Sequence, residues 1–111
     1  MPSETLALAA HQLIEAGFHQ AKHEVSGGFG NEYYEFTGLG AVIRLVRDRG
    51  GERFEIEDPD GSGWEKPSRW LRTGNSQMSL ADCVAMTITR RAELRSAIER
   101  EAAAASDDQE G

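Results

Sequence analysis

The spacing of apolar positions divides this 111-residue chain into a helical part, an alternating part and a second helical part. Leu6, Ala9, Ala10, Leu13 and Ile14 recur at helical spacing and predict a first helix over residues 3–16. Ser3 can cap it, and Glu4 lies in the first turn, where the helix dipole favours an acid. Gly17 suits the residue just past the end, with Phe18 folding back onto the last turn.

The period then shortens to two. Glu32 to Thr37 reads as a strand with Tyr34 and Phe36 on one face and Tyr33 and Glu35 on the other. Lys22 to Ser26 is a candidate edge strand, followed by a glycine-rich turn, GGFG, at 27–30. That turn lacks the lysine and Ser/Thr of a phosphate loop.

The chain is organised around Gly40 to Asp58. Two alternating runs flank Gly50-Gly51, a hairpin signal because glycine adopts positive φ at low cost. With Gly50-Gly51 as the loop, Leu45 faces Ile56, Arg47 faces Phe54, Asp48 meets Arg53 and Arg44 meets Glu57. Ile43, Leu45, Phe54 and Ile56 then form the buried face, and the other face is charged.

Asp58 to Gly63 is a loop, since Pro59 stops the ladder and Asp60-Gly61 is a turn dipeptide. A calcium loop is not expected, because no glutamate stands at its twelfth position. A helical turn begins at Pro67, and Trp64, Trp70 and Leu71 either cap the core or leave one tryptophan as a surface anchor. Ser79, with Asp82 three residues on, opens a second long helix through Leu80, Cys83, Val84, Thr87, Ile88, Arg91, Leu94 and Ile98. The expected organisation is one α+β domain over 1–100, with an N-terminal helix, a three- to four-stranded antiparallel meander and a C-terminal helix in two layers. A disordered acidic tail is expected over 101–111.

Charge narrows the partners. The net charge is −7, unevenly spread. Residues 31–66 hold nine acids and five bases, residues 67–100 six bases and three acids, and the tail four acids and no base. Such a balance disfavours phosphate backbones, so direct nucleic-acid binding is not expected, and it suits a basic protein partner. The single cysteine, Cys83, excludes an internal disulfide and falls on an apolar helix face. The first ten residues lack the basic start of a signal peptide, and no apolar run is long enough for a membrane span, so a cytoplasmic protein is expected.

Catalytic chemistry finds little support. His11, His19 and His23 have no cysteine nearby to complete a zinc set, and no GxSxG, HExxH, CxxC or Walker pattern occurs. No enzyme activity, cofactor or metal is expected. The run GNEYYEF, followed by AVIRLVRDRGGERFEIEDPDGSGW, resembles small acidic bacterial α+β families that either look like immunity proteins of toxin systems or are uncharacterised. The resemblance covers residues 29–70 and implies protein binding without catalysis. The expected surface is Glu52, Glu55, Glu57, Asp58, Asp60 and Glu65, with Trp64 as an apolar anchor, occluding a basic toxin. An acidic inhibitor of a nucleic-acid enzyme would use the same physics. A small-ligand regulatory domain with a cleft between sheet and helices, and a bland monomer or homodimer, are the rivals.

Overall fold

The computed structural model describes residues 3–26, 30–49, 51–72 and 78–110, with 105–110 as backbone. The order is α1 (Glu4–Glu15), β1 (His19–Val25), β2 (Glu32–Thr37), β3 (Val42–Asp48), β4 (Gly51–Glu57), β5 (Trp64–Glu65), α2 (Pro67–Leu71), α3 (Leu80–Thr89) and α4 (Arg91–Glu110). The five strands pair antiparallel in sequence order, an uninterrupted meander. The expected α+β architecture is present, with five strands where three to four were expected. Gly27, Gly28 and Gly50 of the expected turns lie outside the described residues.

Local chemistry explains the ends of α1. Ser3 Oγ accepts from the Leu6 amide at 3.2 Å. At the other end the Gly17 amide donates to Ile14 O and the Phe18 amide to Leu13 O, both at 3.0 Å, with Gly17 at φ +96°. This is the helix-ending motif that needs a left-handed residue, and it turns Phe18 into the core. Arg91 of α4 completes the terminus. Its guanidinium donates to Ala16 O and stacks over the Phe18 ring at 4.4 Å, placing a cation where the helix dipole is negative.

One face of the sheet carries the core. Ile43, Leu45 and Ile56 are 0% exposed and Phe54 1%, joined by Tyr34 and Phe36 from β2. Against them pack Leu6, Ala9, Ala10 and Leu13 of α1, Cys83 and Val84 of α3, and Leu94 and Ile98 of α4. Burying each large apolar side chain contributes about 1.5–3 kcal/mol. Ile14, assigned by its spacing to this stripe, is instead 48% exposed, because α1 turns the Leu6–Ala10–Leu13 line inward.

Two expectations about connection are corrected. The hairpin register places Ile43 opposite Ile56, Arg44 opposite Glu55, Leu45 opposite Phe54 and Asp48 opposite Gly51. This is a two-residue slip from the expected pairing. Such a slip keeps every side chain on its face, and it sets apolar residues directly opposite one another. The long C-terminal helix breaks at Arg90, which has φ −115° and ψ 33° and separates α3 from α4. The second of these, α4, runs from Arg91 to Glu110.

Candidate functional site

The sheet face opposite the helices has no described element packed on it. The strand register lays its side chains in rows. Lys22, Glu35, Arg44 and Glu55 lie in line across β1 to β4, alternating in sign. The neighbouring row is Glu24, Tyr33, Val46 and Arg53. Glu57 and Trp64 stand opposite each other on β4 and β5. Tyr33, Arg44, Val46, Arg53, Glu55, Glu57 and Trp64 are all half-buried, screened by one another rather than by a second layer.

Arginine organises this face. Arg44 donates from Nε and Nη2 to Glu55 Oε1 at 3.0 and 2.9 Å, and its guanidinium lies 4.0 Å over the Trp64 ring. Arg53 grips Asp48 with two parallel bonds of 2.9 Å and reaches Glu55 at 3.6 Å. The Asp48 bond, set against some loss of solvation and reinforced by the Asp48 and Glu55 charges, holds Arg53 firmly protonated. Burial and the Glu35 charge push the Tyr33 hydroxyl up, so it stays neutral. The face therefore presents two aromatics and a paired, net acidic ladder, a composition suited to protein contact.

The structure divides the seven expected surface residues between two faces. Glu55, Glu57 and Trp64 share the open face. Asp60 is exposed in the β4–β5 loop, where hydrogen bonding from the Ser62 side chain, and then from the Ser62 amide at 2.9 Å, holds its pKa below the usual range. Glu52 lies on the helix side, because it shares the strand parity of Phe54 and Ile56, and it accepts from Ser3 Oγ at 2.5 Å. Asp58 is buried as well, and among the described residues its carboxylate has only a long 3.4 Å bond, from Ser62 Oγ to its Oδ2. Glu65 turns toward Arg69 of α2 at 3.6 Å. Glu57 and Asp60 are left without an ion pair among the described residues.

A polar cluster that sequence reasoning missed sits at the edge of the core. Glu32 is 2% exposed. It accepts from the Ser3 amide at 2.7 Å and from His23 Nε2 at 2.8 Å. His23 in turn stacks on Tyr34 with centroids 3.9 Å apart. Burial alone would raise the Glu32 carboxyl, but the Ser3 bond and His23 outweigh it, and the group stays below the ordinary carboxylate value. Alternation could have flagged it, since Glu32 shares the parity of Tyr34 and Phe36. His19, by contrast, is carried to the other face by a bulge between Gln20 and Lys22, so the two histidines do not converge.

Cys83 is 1% exposed, and burial pushes its thiol up to about 11. Among the described residues no group of three His, Cys, Asp or Glu side chains could hold a metal, and no helix is long and apolar enough to cross a membrane. Fold and face together define a two-layer α+β domain with one open, aromatic and charged sheet surface. Comparison with known protein families, curated proteins and solved structures finds no match.

Proposed function

We propose that this chain is a non-enzymatic protein-binding module that docks a partner on the open face of its sheet. The observation that carries this is the uncovered surface around Trp64, where an aromatic ring clamped by Arg44 sits between Glu55, Glu57 and the Asp60 loop. Rigid aromatic and arginine groups are over-represented among residues that dominate binding energy. Glu57 and Asp60, lacking ion pairs among the described residues, favour a basic partner. The sharpest form of the reading is an immunity protein that occludes a basic toxin. An inhibitor of a nucleic-acid enzyme uses the same contacts.

The rival ligand cleft between sheet and helices gains no support. That space is filled by Leu6, Leu13, Phe36, Leu45 and Phe54, each at most 1% exposed.

The reading is tested by pull-down from cells carrying the chain, at low and high salt. A partner bound by the open face should be lost at least tenfold with Trp64→Ala combined with Glu57→Lys, and should weaken with salt. Equal recovery by the double variant would show that this face is not the docking surface.

A further inference from the structure

The sheet has two edges of unequal length. β5 is two residues long, whereas β1 runs for seven, His19–Val25, with every residue exposed and no described strand on its outer side. The backbone donors and acceptors along such an edge are a template for a further strand. Val25 stands opposite Glu32, on the helix side of the sheet, yet it is 45% exposed. Lys22 and Glu24 stand two residues apart on the open face, opposite Glu35 and Tyr33. Neither makes an ion pair among the described residues.

Symmetry limits how a second copy can add to this edge. A two-fold axis normal to the sheet makes the two strands antiparallel and keeps every side chain on its own face. Directly opposite residues share a face, so a register is allowed only where one residue meets its own copy. A bulge between Gln20 and Lys22 leaves Ala21 without a partner on β2, so the regular alternation runs from Lys22 to Val25. Centring on Lys22 brings two lysines together, and centring on Glu24 brings two glutamates together. Centring on Val25 pairs little more than its immediate neighbours. Centring on His23 sets Lys22 opposite the partner's Glu24 and Glu24 opposite the partner's Lys22, two pairs of opposite sign.

We infer that two copies of this chain pair edge to edge through antiparallel β1 strands centred on His23, joining two five-stranded sheets into one. The row Glu55, Arg44, Glu35 and Lys22 then continues in alternating sign into the partner's Glu24. Val25 comes opposite the partner's Ala21, whose small side chain leaves it room. A lysine and a bulge deter a foreign strand at an open edge; here the charges also select one self-pairing among those that symmetry allows. Trp64 lies on β5, at the far side of the sheet, so the docking face proposed above stays free.

The test is sedimentation velocity on the full chain at neutral pH over a concentration series, with Lys22→Glu, Glu24→Lys and the chain carrying both changes. A strand pair this short buries less than a standard interface, so the native chain should pass reversibly from monomer to dimer as concentration rises. Each single variant should keep its circular dichroism, and its self-dissociation constant should rise about tenfold or more, because two attractive cross-strand pairs become repulsive. An equimolar mixture of the single variants should regain the dimer, and so should the chain with both changes, since each restores opposite signs at both pairs. Amide exchange along His19–Val25 should slow as the native chain is concentrated. A native chain that stays monomeric, a dimer that the single variants leave intact, or a mixture that does not recover it overturns the inference.

Discussion

The amide of Ser3 donates to the Glu32 carboxylate across 29 residues of sequence, at 2.7 Å and out of contact with water. Ser3 thereby caps α1 with its hydroxyl and ties the helix start to β2 with its backbone. The buried carboxylate is held ionised by that bond and by His23, against the desolvation that burial imposes.

A depressed carboxyl stabilises the folded state above its unfolded value of 4.5 and loses that contribution as pH falls through the lower folded value. Acid unfolding should therefore be shifted in Glu32→Gln. Urea titration at neutral pH should show a loss of about 1–3 kcal/mol, the cost of a charged hydrogen bond and the groups it leaves unpaired. The gap between variant and native chain should shrink as pH drops below 4.5. A gap that widens instead would place the stabilising charge elsewhere.

The observed hairpin register makes a second test. Arg44 pairs with Glu55 and not with Glu57. A double-mutant cycle on Arg44 and Glu55 should give a coupling of about 0.5–1 kcal/mol, as for a half-screened cross-strand pair. The cycle on Arg44 and Glu57 should give a value near zero. The reverse result would restore the pairing in which Gly50 and Gly51 form the loop.

Gly38 has no room for a side chain. A Cβ there would lie 2.6 Å from Phe18 Cδ1, and its φ is +150°. Phe18 cannot retreat, because Arg91 stacks on its ring and the α1 terminus fixes its backbone. Gly38→Ala should cost about 1–3 kcal/mol by overpacking, read from the midpoint of chemical denaturation. Gly40→Ala, with nothing within 4 Å but φ +76°, should cost less.

Cys83 should behave as a packed apolar group. With its thiol pushed up to about 11, the native chain should not react with a thiol reagent at mildly alkaline pH until it unfolds. Cys83→Ser should destabilise the fold, since the hydroxyl enters an apolar site. Rapid labelling of native protein would count against this placement.

Much of the architecture is legible locally. Ser3, Gly17 and Phe18 write the limits of α1, Ser79 starts α3, and Pro67 starts α2. The alternation of Ile43, Leu45, Phe54 and Ile56 names the buried face. The candidate surface was less legible. Glu52, Glu55 and Glu57 are neighbours in sequence, yet strand parity sends the first to the helix side and the others to the open side. The two tryptophans look alike in sequence, but Trp70 is buried in the core cluster while Trp64 is half-buried under the Arg44 guanidinium.

By itself the sequence determined the periods, the helix ends and which sides of the central strands are apolar, because these depend on residues within a few positions of each other. The tertiary structure decided between registers two residues apart, since both satisfy the same pleat and only the pairing of Leu45 with Phe54 and Ile43 with Ile56 separates them. It also decided that Glu32 is buried and ionised. That outcome needs Ser3 and His23 to arrive from other elements, and no local pattern contains the energy of bonds formed between them.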